Sequence, residues 1–161
     1  MERITEIEIN STMEAFESLS EDEMATMVEQ FSTEQTDIVN YVMSDEIALF
    51  SATERQIMLY LGLVIWKTID VKEFTGVPAI PLNIITTSED SNWELLDTQD
   101  QEAPFLERIS VLYEEYPQED LLAFAEDTLA ESEGAFNREA REPMFVMLKS
   151  LIDSFSMILA V

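Results

Sequence analysis

The groups available for chemistry in this 161-residue chain are overwhelmingly carboxylates: 34 Asp and Glu stand against 8 Lys and Arg, with no His and no Cys. The densest run, "EEYPQEDLLAFAEDTLAESEG" at residues 114–134, holds eight acids and no base. Carboxylates in such numbers suit three tasks. They can work in acid–base pairs, coordinate a hard cation, or attract a cationic partner over a distance.

The first two tasks demand geometry that the sequence does not single out. A glycosidase pair needs one carboxyl held protonated near neutral pH and the other across the substrate, and no spacing distinguishes such a pair among 34 acids. A lack of His removes the imidazole base and the Glu-x-x-His ligand pattern of helical bundles. A lack of Cys removes thiolate nucleophiles and thiolate metal sites. "SEDSNWELLD" at residues 88–97 has neither the glycine turn nor the donor spacing of a calcium loop. Within 117–131, Glu119 and Glu126 are seven residues apart, about 10.5 Å along a helix axis, too far to share one ion. Gly62, Gly76 and Gly134 are scattered, so there is no phosphate-cradling loop, and Ser/Lys chemistry has no motif to recommend it. No catalytic residue, cofactor site or metal ligand is therefore assigned.

The third task fits the charge distribution. The formal charge is −26, and residues 4–54 carry 13 acids with no Lys or Arg. Such a field repels nucleic-acid phosphates and anionic membranes, so direct binding to either is not expected. The expected function is a noncatalytic protein-interaction module. Its acidic helical surface, formed by Glu119, Asp120, Glu126 and Asp127 with Glu34 and Asp37, recruits or shields a basic protein partner. The alternatives are a hydrolase or cation-binding enzyme using clustered carboxylates, and a nucleic-acid mimic or nuclease inhibitor. "MERITEIEIN" does not resemble a signal peptide and "IMLYLGLVIW" is too short to span a bilayer, which makes a cytoplasmic location the expectation.

The elements that must position these acids read as helices. The chain has the size of one compact domain over residues 1–161. Ser20 with Glu23 forms a capping-box pattern ahead of Met24, Met27, Val28 and Phe31, predicting a helix over about 21–31. Ser32 with Gln35 predicts another, carrying Ile38, Val39, Val42 and Met43, to about residue 46. Ser51 with Glu54 opens a buried helix that ends near Val71. The start of the chain, with its alternating "ITEIEI", fits a strand, an arm or a helical turn. Residues 73–103 contain Gly76, Pro78 and Pro81 and read as a long connection with at most a short helix near Trp93 to Leu96. Pro104 and Pro117 mark helix starts, and a final helix begins between Asn137 and Pro143. The expected fold is all-α, a single compact bundle or short helical stack of about five to seven helices. Surplus apolar surface on either long helix would support a homodimer.

A faint repeat suggests two related three-helix halves, residues 20–72 and 104–160, with 73–103 as the connection. "TDIVNYV" at 36–42 and "EDLLAFA" at 119–125 match at an offset of 83 residues, and Asp70 aligns with Asp153 at the same offset. Tyr60, Trp66, Tyr113, Phe145 and Phe155 are expected in the core. Tyr41, Trp93, Tyr116 and Phe136 fall at element boundaries, where an aromatic side chain can anchor a partner.

Overall fold

The computed structural model describes residues 1–44, 50–74 and 76–160 and is all-α, a compact bundle with extensive packing between helices. Its eight α-helices among the described residues are α1 (Glu6–Glu17), α2 (Glu21–Glu34), α3 (Thr36–Met43), α4 (Ala52–Lys72), α5 (Leu82–Asp97), the short α6 (Phe105–Ile109), α7 (Glu119–Glu131) and α8 (Arg141–Ile158). A 3-10 turn, Ser110–Tyr113, extends α6, and another, Arg138–Ala140, leads into α8. Among the described residues no helix is long and apolar enough to cross a membrane.

Local chemistry explains most of the helix starts. The Ser20–Glu23 and Ser51–Glu54 capping boxes form as the sequence predicts. Ser32 does not cap a helix. It lies inside α2 and its hydroxyl donates to the Val28 carbonyl, while Gln35 makes the junction with α3. The predicted end of that helix near residue 46 lies outside the described residues. Pro104 and Pro117 stand just ahead of helices: Pro104 is the N-cap residue of α6, and Gln118 separates Pro117 from α7.

Two segments differ from their sequence reading. The start of the chain is α1, opened by a Thr5–Glu8 capping box, and it buries Ile9, Thr12 and Phe16 at helical spacing. The alternating isoleucines mislead because Ile7 points outward and is 78% exposed. The predicted connection 73–103 contains the 16-residue α5. Its buried positions are Ile85, Ser88, Asn92 and Leu96, so two of the four are polar and the apolar period is broken. It also lacks a side-chain cap of its own, because the cap comes from Asp37 on α3, whose Oδ2 accepts the Leu82 N–H at 3.0 Å.

α4 and α8 form the centre. Trp66, Ile65 and Leu61 of α4 and Phe145, Leu148, Leu151 and Phe155 of α8 are fully buried, and Phe31 stacks on Trp66 with ring centroids 5.1 Å apart. α1 and α3 pack on α4, α5 and α7 on α8, while α1 also meets α7 and α3 meets α5.

Side-chain contacts between the helices recur in pairs. Gln118 donates to the Glu2 carbonyl and accepts the Ile4 N–H, both at 2.9 Å, holding the segment ahead of α1. Gln35 donates to the Pro78 carbonyl at 3.0 Å and accepts the Ile80 N–H at 2.9 Å, holding the lead into α5. Asp120 accepts the N–H of Glu6, the first residue of α1, as Asp37 does for the first residue of α5. The Thr68 and Thr12 hydroxyls meet at 2.8 Å between α4 and α1, and those of Ser154 and Ser88 at 3.4 Å between α8 and α5. These paired contacts involve α1 and α5, which lie outside the halves 20–72 and 104–160.

Candidate functional site

The acidic stretch at 114–134 resolves into a helix with three differently employed sides. Leu121, Leu122, Ala125 and Leu129 of α7 are buried on the core, as their spacing predicts. Asp120, Ala123, Phe124, Asp127, Thr128 and Glu131 recur every three or four residues on the side turned to α1, where Glu6, Ile9, Asn10 and Met13 form the opposing stripe. The two stripes enclose a groove of about 310 Å³. Its apolar lining comes from Ile9, Met13 and Phe124. Glu6, Asp120, Asp127 and Glu131 supply four carboxylates, and no base lines it.

The six predicted surface acids divide by what they bond. Asp120 and Asp127 share the groove, but Asp120 is also committed to structure: its Oδ1 accepts from Arg3 Nη2 at 2.9 Å and its Oδ2 from the Glu6 backbone. Asp37 caps α5 in the same manner. Glu126 faces away from the groove and accepts the Tyr113 hydroxyl proton. Burial, with the charge of Glu126, pushes that phenol far above its usual range. Glu119 and Glu34 are exposed, and neither lines the groove. The groove residues that the sequence does not point to are Glu6, Ile9 and Met13, because α1 is not legible as the partner of α7. The Ile9, Thr12 and Phe16 spacing is the signal that locates them.

A second polar cluster is interior. Lys149 is 5% exposed. Its Nζ donates to Asn92 Oδ1 at 2.8 Å and Asp153 Oδ2 at 2.9 Å, and lies 4.4 Å from the Tyr116 ring centre. Asn92 donates to Ser150 Oγ and Asp153, and Tyr116 donates to Asp153 Oδ1 at 2.6 Å. The Lys149 amine and the Ser150 hydroxyl are neighbours in sequence but do not bond to each other. The hydroxyl instead donates to the Val146 carbonyl. The network joins α5, α8 and the turn before α7, so the cluster's polar capacity is spent on packing. Among the described residues no three Asp or Glu side chains stand close enough together to hold a metal ion.

The aromatic expectations hold for Trp66, Phe145 and Phe155, which are fully buried, and Tyr113 is half-buried against Phe145. Tyr60 departs from expectation. It is 41% exposed, because residue 60 falls on the outer side of α4. Tyr41 is a core residue rather than a boundary anchor, 2% exposed with its hydroxyl donating to Glu89. Apolar surface is exposed at the end of α4, at Val71 and Phe74. No protein family, curated protein or solved structure matches the chain.

Proposed function

We propose that the chain is a noncatalytic acidic module whose α1/α7 groove takes a basic, partly apolar segment of a partner protein. The observation that carries this reading is the groove's composition: four carboxylates around an apolar lining, with no base among the lining residues. Arg3 offsets Asp120, which leaves Glu6, Asp127 and Glu131 for a cationic ligand. Each exposed ion pair contributes about 0.2–1 kcal/mol, so the charges select and orient the ligand while burial of apolar side chains against Met13 and Phe124 holds it. An acidic amphipathic ligand is rejected by the same field.

The test is a calorimetric titration with a short amphipathic Lys/Leu peptide at low and at moderate salt. Micromolar binding that weakens as salt rises, and that is lost in the double variant Asp127→Lys with Glu131→Lys, supports the reading. Equal binding by wild type and the double variant refutes it. The two halves' matched glutamine and aspartate clamps further suggest a duplicated helical unit, with α1 and α5 as counterparts.

A further inference from the structure

The scarce bases are not spread evenly. Arg108, Arg138 and Arg141, three of the eight, line one open cleft of about 500 Å³ between α5, α6 and the start of α8. Trp93 of α5 and Phe105 of α6 supply its aromatic lining. Glu139 and Glu142 also line it, so the cleft carries one more positive than negative charge on a chain whose total is −26.

One of these three arginines is less satisfied than the chain's other cations. Arg3, Lys67, Lys72 and Lys149 each pair with a carboxylate. Arg108 pairs with Glu142 at 3.1 Å, and the exposed Arg138 with Glu133 at 3.8 Å. The Arg141 side chain, by contrast, makes no hydrogen bond and no ion pair among the described residues. Its guanidinium carbon lies 4.3 Å from the Phe105 ring centre, and its Nε is buried with no acceptor among the described residues, as is the Nε of Arg108. A guanidinium placed over an aromatic ring and left without an anion, in a chain so rich in carboxylates, is under-used as a structural group. It is a fork that matches a planar oxyanion.

We infer that this cleft binds a small organic monoanion, a carboxylate on a flat apolar body, with Arg141 and Arg138 meeting the carboxylate and Trp93 and Phe105 flanking the body. The charge balance selects the class. A single negative charge matches the one cleft guanidinium, that of Arg141, that has no carboxylate partner, whereas a phosphate dianion meets Glu139 and Glu142 with charge to spare. The cleft's size lies within the roughly 300–1,000 Å³ range of small-molecule sites. At physiological salt the Debye length of about 8 Å screens the chain's more distant acids, so the ligand responds chiefly to the cleft's own groups. The inference is independent of the α1/α7 groove, which shares no lining residue with the cleft.

The experiment is isothermal titration calorimetry of the full chain with 2-naphthoate, the neutral 2-naphthamide and 2-naphthyl phosphate, each against wild type, Arg141→Gln and Arg138→Gln. The expected result is millimolar or tighter binding of 2-naphthoate, the range accessible to so small a ligand, at one site. 2-Naphthamide should bind roughly tenfold more weakly, and Arg141→Gln should weaken 2-naphthoate by a similar factor. Arg138→Gln provides a second reading at an exposed position where the fold is not at risk. Circular dichroism of each variant confirms that the helices are intact. Equal affinity for acid and amide, no loss in either folded variant, or tighter binding of the phosphate than of the carboxylate overturns the inference.

Discussion

Replacing Gln118 by alanine tests whether the amide clamps organise the bundle. Gln118 is 2% exposed and makes two 2.9 Å hydrogen bonds to the segment ahead of α1. Alanine leaves the Ile4 N–H without a partner beside a side chain that is 0% exposed. An unsatisfied buried donor costs about 1–3 kcal/mol, and the second bond, to the carbonyl of the exposed Glu2, adds about 0.5 kcal/mol. The expected destabilisation is therefore about 2–3 kcal/mol, which for a chain of this size lowers Tm by roughly 5–10 °C. Urea unfolding followed by circular dichroism gives the free energy, and amide exchange at Ile4 localises it. Gln35→Ala should cost a similar amount and deprotect Ile80, since Gln35 makes the same pair of bonds. A loss below about 0.5 kcal/mol, a size ordinary for surface substitutions, with unchanged exchange at Ile4 would refute the clamp.

Three further outcomes follow from the packing. Gly62→Ala should stabilise the chain by up to about 1 kcal/mol in urea unfolding, because a Cβ there meets Phe31 and Leu151 at 3.7 and 3.8 Å, ordinary contact, while α4 gains helix propensity. Lys149→Met should destabilise by about 1–3 kcal/mol in the same measurement, since it leaves the buried Asn92 carbonyl oxygen without a donor and removes the cation beside Asp153, which keeps its bonds from Asn92 and Tyr116. Burial, with a neighbouring carboxylate, raises the Tyr41, Tyr113 and Tyr116 hydroxyls far above the ordinary value of 10.0. The folded state then holds protons that the unfolded state gives up, so the contribution is complete below pH 10 and is lost progressively as pH rises above it. In an alkaline titration the tyrosinate absorbance of these three should appear together with loss of helical ellipticity, not before it.

How far the sequence revealed this architecture depended on whether each helix carried its own signals. α2 and α4 were legible because Ser20–Glu23 and Ser51–Glu54 supply their caps locally and Phe31 and Ile57 to Trp66 supply the burial pattern. α5 was not, since its cap resides on Asp37 in another helix and its core side is half polar, with Ser88 bonded to Ser154 and Asn92 to Ser150. The acidic side of α7 was visible, but charge alone did not distinguish the groove acids Asp127 and Glu131 from the groove acid Asp120, or from Asp37 and Glu126, whose partners lie elsewhere in the chain. The arginine cleft escaped for a related reason. Arg108 and Arg141 are 33 positions apart, and only the packing of α6 against α8 brings them together.

The most direct test of the central claim is to map where a basic peptide lands. Adding the amphipathic Lys/Leu peptide to isotope-labelled chain should shift the backbone amide resonances of Ile9, Met13, Phe124, Asp127 and Glu131 together and with one affinity, while those of the arginine cleft stay in place. Shifts distributed over all the acidic helices, or confined to surfaces away from α1 and α7, would contradict the account and reduce the acidity to a nonspecific surface property.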